Sequence, residues 1–181
     1  NSIKVTVAEA VSRLPEEKPE VQAVNLRGIG GQPWYQVYTT TSPVPHYVSA
    51  VDGTFDPSRD EAYAAEIASR FLAGEKVSKT AFLTAFNTEY LNIFRILPVY
   101  RFDAGDALET RVYVSTTTGS VTRHTDEQRQ FEATIFTNFH KLGLIPNKDL
   151  RDLVLTVLTS GTFLVACLGV ALFFATRPRK R

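Results

Sequence analysis

The chain has 181 residues, with 20 lysines and arginines against 19 acidic residues, and 12 Phe and 7 Tyr make it rich in aromatic side chains. All the acidic residues and 16 of the basic ones lie at or before Asp152, so this portion carries a net charge of −3, which argues against nucleic acid as a partner. The single cysteine, Cys167, excludes disulfides, CxxC redox chemistry and a thiolate metal site.

The sequence opens at Asn1 and contains no methionine, and a removed signal peptide or a first transmembrane helix is expected ahead of it. Thr6, with Glu9 three residues on, has the spacing of a capping box; Ala10, Val11 and Leu14 give the short helix an apolar stripe that Pro15 ends. Three strands are expected next. Val21 to Ile29 runs to Gly30-Gly31, Trp34 to Thr40 alternates with Trp34, Gln36 and Tyr38 on one face and Tyr35 and Val37 on the other, and His46 to Val51 stops at Asp52-Gly53. Ser58 and Glu61 have the spacing of a second capping box, and Tyr63, Ile67 and Phe71 line one face of the helix that follows.

A second unit repeats this order. Tyr47-Val48-Ser49 with Gly53 and Phe55 matches Tyr113-Val114-Ser115 with Gly119 and Val121, and Asp60-Glu61 recurs as Asp126-Glu127 at the same offset. The spacing predicts a short helix over Lys79 to Phe86 exposing Phe82 and Phe86, then strands over Glu89 to Ile96, Val99 to Asp103 and Arg111 to Ser115. Asp103-Ala104-Gly105-Asp106 supplies turn chemistry. Thr125 and Gln128 cap a closing helix whose Phe131, Ile135 and Phe139 reproduce the stripe of the first unit, and Gly143 and Pro146 end it.

Leu153 to Thr176 is a run of 24 uncharged residues, followed by Arg177, Arg179, Lys180 and Arg181. At about 1.5 Å per residue it is long enough to cross a hydrocarbon layer of roughly 30 Å, and the basic cluster is expected to stay in the cytoplasm, leaving the preceding residues on the opposite side. The expected organisation is α+β: a first unit over 1–74, a second over 75–147, a transmembrane helix over 148–176 and a basic cytoplasmic tail over 177–181.

Leu97-Pro98-Val99-Tyr100-Arg101-Phe102, then Tyr113-Val114-Ser115, Thr118-Gly119 and Phe139-His140-Lys141 ahead of a leucine-rich anchor, resembles the PepSY-associated transmembrane proteins of bacteria. The resemblance covers nearly the whole chain and is stronger from Leu97 onward. It implies tandem PepSY-like units, helices on antiparallel sheet, acting as binding or regulatory modules without catalysis. Larger relatives of several spans are linked to reduction of iron-siderophore complexes through haem held by histidines in their membrane helices. This chain departs from that pattern, having one span with no histidine in it, and no cofactor is expected.

The remaining candidates for chemistry read as structure. Asp60-Glu61 and Asp126-Glu127 fall in first helical turns, where the dipole favours negative charge. Ser49 and Ser115 lie mid-strand without a nucleophile turn; Gly28-Ile29-Gly30-Gly31 is wrongly flanked for a phosphate loop; His46 and His124 have no metal-ligand spacing, and His140, near the membrane surface, would need a partner chain to supply a second axial ligand and reads as an interfacial residue at its helix end. What remains is association. In the span, Gly161 and Gly169 lie two turns apart while Cys167, Ala171 and Ala175 repeat every four residues, and small residues let another helix approach closely.

The expected function is a non-catalytic, single-span accessory subunit of a larger membrane complex, of the respiratory or photosynthetic electron-transfer kind. It would lie in the bacterial inner membrane, with its soluble domain periplasmic and membrane subunits and lipid as partners. The alternatives are a periplasmic PepSY-type regulator of a peptidase and a part of a ferric-siderophore reductase.

Overall fold

In the computed structural model, which describes residues 2–17 and 19–176, the chain is α+β, with two antiparallel sheets and a long C-terminal apolar helix. The basic cluster Arg177, Arg179, Lys180 and Arg181 lies outside the described residues. The first helix, α1 (Val7–Ser12), starts with the capping box read from the sequence: the Glu9 carboxylate accepts from the Thr6 amide at 2.7 Å and the Thr6 hydroxyl accepts from the Glu9 amide at 3.3 Å. Strands β1 (Val21–Ile29), β2 (Gln32–Thr39) and β3 (His46–Ser49) follow as expected and pair in that order.

Helix α2 (Arg59–Phe71) is present, but its capping box is not. The Ser58 hydroxyl instead donates to Asp56 at 2.6 Å, and Asp56 also pairs with Arg59 at 2.7 Å. Glu61 meets Lys79 at 2.5 Å.

The second sheet departs from the sequence reading. Lys79 to Phe86 is no helix; strand β4 (Ser78–Leu83) takes its place and pairs with β5 (Val99–Asp103), setting Phe82 against Tyr100 with ring centroids 4.7 Å apart. Pairing with β5 outweighs the helical spacing of Phe82 and Phe86, and Phe86 lies beyond the strand. Glu89 to Ile96 is no strand either. Asn87 accepts the amides of Glu89 and Tyr90 in a tight turn, a single 3₁₀ turn covers Asn92–Phe94, and Tyr90 is wholly buried between the Phe94 and Tyr113 rings. Strand β6 (Arg111–Ser115) is as expected, and β7 (Ser120–Thr125) completes the order β4-β5-β6-β7. The sequence reading missed β7 because its alternation is interrupted by Arg123 and His124.

The internal repeat is visible in the hydrogen bonding. Val48 pairs with Phe55 as Val114 pairs with Val121, and the Gly53 amide donates to the Ser49 carbonyl as the Gly119 amide donates to the Ser115 carbonyl, both at 2.9 Å. Both glycines hold positive φ, 76° and 67°, where a Cβ is costly. The same turn is therefore built twice, 66 residues apart.

Residues 1–127 make one compact unit and residues 128–181 another. In the first, sheet β1-β2-β3 is covered on one face by Ala10 and Leu14 around Tyr35, Val37 and Val48, and on the other by Tyr63 of α2 beside Trp34 and Tyr47. Ala64 and Ala68 of the same helix cover Tyr100, Phe102, Val112 and Val114 of the second sheet, whose far face buries Tyr90 with Val99 and Tyr113. Helix α2 thus serves both sheets, and Ile67 packs into both clusters.

The second unit holds most of α3 (Glu127–Ile135), a π-helical turn over Phe136–His140, and α4 (Lys148–Thr176), capped where the Leu150 amide donates to the Asn147 side chain at 3.1 Å. The stripe of α3 and its extension is exposed, Phe131 by 66% and Phe139 by 73%.

The two equivalent turns differ in surroundings, which gives a test. A Cβ on Gly119 would lie 2.8 Å from the Tyr63 hydroxyl, whereas one on Gly53 would first meet Val5 at 3.7 Å. Gly53→Ala is expected to lower the unfolding free energy by about 1–2 kcal/mol for its φ alone, and Gly119→Ala by about 1 kcal/mol or more beyond that. Urea unfolding of the full chain in detergent, followed by the fluorescence of Trp34, the only tryptophan, measures both.

Candidate functional site

Asp60 stands in the first turn of α2, as its sequence position implies, yet it is only 4% exposed. At about 100° per residue it projects between the Tyr63 face of the helix and the Ala64–Ala68 face, on the same seam as Ile67. From there one oxygen accepts from the Tyr47 hydroxyl of β3 at 2.8 Å and the other from the Tyr100 hydroxyl of β5 at 2.9 Å. A single carboxylate is therefore shared by both sheets. Gln36 of β2 extends the network, its amide donating to Tyr47 at 2.7 Å and to the Thr116 carbonyl at 2.9 Å, while its oxygen accepts from Arg27 at 3.0 Å.

Burial pushes the Asp60 carboxyl above the ordinary aspartate value of 3.8, and the hydroxyls of Tyr47, Thr116 and Tyr100 only partly hold it down. The Tyr47 and Tyr100 hydroxyls are pushed up in turn, by burial first and by the adjacent carboxylate second. A buried carboxyl with a raised pKa marks many active sites, but a reaction also needs room for a substrate. Two grooves on this unit lie elsewhere: one of about 460 Å³ is lined by Ile67, Arg70, Phe71, Gly119 and Val121, and one of about 300 Å³ by Gln22, Ala23, Asn25, Tyr38 and Thr117. Asp60 lines neither, and its partners satisfy it. It works as a tie between sheets.

The position was legible as a helix start, but its burial was not. The signal lay in the strands: Gln36 shares a strand face with Trp34, and a buried amide and two buried tyrosines require polar partners.

The other residues singled out from sequence have local roles. His46 meets Glu16 at 3.2 Å, His124 packs its ring 5.2 Å from Phe71, and His140 stacks on Phe136 at 4.7 Å. Ser49 accepts the amides of Val51 and Asp52 in the turn after β3. Arg111, 8% exposed, binds Glu89 at 2.7 Å and also contacts Glu127, while Glu89 accepts from the Tyr113 hydroxyl as well. The repeat thus places Tyr113 where Tyr47 stands but gives it a different carboxylate. Among the described residues, no three His, Cys, Asp or Glu side chains are grouped to hold a metal.

Gly161, Cys167, Gly169, Ala171 and Ala175 all lie on α4 and all are exposed. Helical geometry spreads them over about 200° of the surface, with Cys167, Ala171 and Ala175 on one side and Gly161 and Gly169 beyond. A Cβ on either glycine would meet nothing within 4 Å. The helix is long and apolar enough to cross a membrane, and among the described residues its most apolar stretch is not buried.

No protein-family model matches this chain, and neither a curated protein nor a solved structure is significantly similar to it.

The Asp60 tie predicts a specific pH dependence. The folded protein holds this proton more tightly than the unfolded chain, so the stability contributed by protonated Asp60 is full below pH 3.8 and is lost as pH rises through the higher folded value. Asp52, Asp56 and Asp106, held low chiefly by hydrogen bonds to their carboxylates, act in the opposite sense. Asp60→Asn keeps the shape and lacks the titration, so its stability relative to the parent rises from pH 3.8 upward and then levels off in urea titrations at stepped pH. Asp60→Ala loses about 1–3 kcal/mol for each orphaned hydroxyl.

Proposed function

We propose that the chain is a single-span membrane protein whose two-sheet unit is a tandem PepSY-like domain in the bacterial periplasm. Its C-terminal basic cluster stays in the cytoplasm, and the protein serves as a non-catalytic accessory subunit packed on a larger membrane complex. The observation that carries this reading is the character of α4. Its uncharged stretch is about 36 Å long at 1.5 Å per residue, and large apolar side chains are exposed around it, from Leu153 and Val157 to Leu172 and Phe174. Four of its hydroxyls are satisfied within the helix. The hydroxyls of Thr156, Thr159, Thr162 and Thr176 each donate to the carbonyl four residues earlier, at 2.7 to 3.0 Å, which is what a hydroxyl facing hydrocarbon requires.

Gly161 and Gly169, with Cys167, Ala171 and Ala175, are the positions at which neighbouring membrane helices would approach most closely. The redox association of the resembled family supports an electron-transfer complex as host. A domain held together by an internally satisfied polar network supports a scaffolding role.

Purification of the tagged full chain from native membranes in mild detergent, without crosslinking, is expected to return it with membrane subunits. Recovery as a lone monomer overturns the proposal, as does a soluble peptidase partner that survives deletion of residues 153–181. Gly161→Leu combined with Gly169→Leu is expected to lower partner recovery by about tenfold, a loss of roughly 1.4 kcal/mol in affinity. The Trp34-monitored stability of the two-sheet unit should be unchanged.

A further inference from the structure

Four exposed apolar side chains lie within nine residues just ahead of the long helix: Phe131, Ile135, Phe136 and Phe139, exposed by 66, 41, 51 and 73%. On the helical surface Phe131, Ile135 and Phe139 fall within about 80° of one another. Phe136 lies about 60° beyond that arc, with Glu132 between them, and has His140 stacked on it and the Lys141 ammonium 5.6 Å from its ring centre. Ala133 lies on the other side, and the hydroxyl of Thr134 turns back to the Gln130 carbonyl at 2.8 Å. In water such a face is unfavourable, and residues 128–176 leave it uncovered.

The apolar track does not stop at the helix end. Leu144, 72% exposed, and Leu150, 51% exposed, carry it through the connection to Leu153 at the head of the uncharged run. That connection is short and fixed by turns. The Gly143 amide donates to Thr137 at 2.9 Å and the Ile145 amide to Leu142 at 3.0 Å, and Asn147 caps the next helix.

From this continuity we infer that α3 and its π-helical extension form an in-plane membrane helix. Phe131, Ile135 and Phe139 sit below the lipid headgroups, and His140 and Lys141 stand at headgroup level. The occupant of the stripe is lipid, because the chain that carries it enters the bilayer within a few turns, and aromatic side chains opposite a polar face suit the interface. The inference rests on the single-span reading of α4. It adds a second contact with the membrane that holds the segment ahead of the span against the surface.

The test uses the full chain in phosphatidylcholine nanodiscs, with Cys167→Ser as background and nitroxide labels at Phe131→Cys, Phe139→Cys, Ala133→Cys and Leu164→Cys in turn. Power saturation with oxygen and an aqueous nickel chelate reports depth. Labels at 131 and 139 are expected about 5–10 Å below the headgroups, with 133 in water and 164 deep in the hydrocarbon. If 131 and 139 are as accessible to nickel as 133 while 164 remains in lipid, the in-plane helix is wrong and the span stands. If 131 and 139 are shielded from both reagents, protein covers the stripe and the inference is overturned. If 164 is itself in water, the single-span reading fails and takes the inference with it.

Discussion

The shared carboxylate of Asp60 is the constraint on which the two-sheet unit depends. Burying a carboxyl is costly unless hydrogen bonds replace water, and here the two replacements come from different sheets, Tyr47 of one and Tyr100 of the other. Neither sheet can move relative to α2 without orphaning a hydroxyl or the acid. The apolar contacts obey the same geometry, since Tyr63 faces the first sheet, Ala64 and Ala68 the second, and Ile67 both. Apolar packing supplies most of the stabilisation, and the polar tie fixes which arrangement of the sheets receives it.

This sharing explains how a duplicated sequence gives an unequal structure. Each half builds the same hairpin, with Gly53 and Gly119 in matching turns and Val48 and Val114 in matching pairs. In the first half the following helix is captured. In the second, the equivalent stripe of Phe131, Ile135 and Phe139 is exposed. That helix precedes the apolar α4 in the chain.

Much of this was legible in the sequence where the signal is local. The Thr6–Glu9 box, the alternation of Trp34 to Tyr38 and the uncharged run from Leu153 each specify an element with little help from the rest of the fold. Legibility failed where tertiary pairing outweighs local pattern. Lys79 to Phe86 suits a helix stripe but joins β5 as a strand, and Glu89 to Ile96 suits a strand but folds as a turn that buries Tyr90. Asp60 failed for another reason. A helix-start acid is ordinarily solvated, and only the Tyr47 and Tyr100 hydroxyls, 13 residues before and 40 after it, make burial possible. The five small residues of α4 were correctly placed on a helix, but a list of spacings hid their spread around its surface.

The claim that α2 and Asp60 fuse both sheets into one body is tested most directly by native-state hydrogen exchange of the full chain at rising denaturant. One cooperative body predicts that the amides of Val37 and Val48 in the first sheet and Phe102 and Val114 in the second open in a single event, with the same free energy and denaturant dependence. Opening of Phe102 and Val114 in a separate, lower-energy event while Val37 and Val48 stay protected would contradict the account.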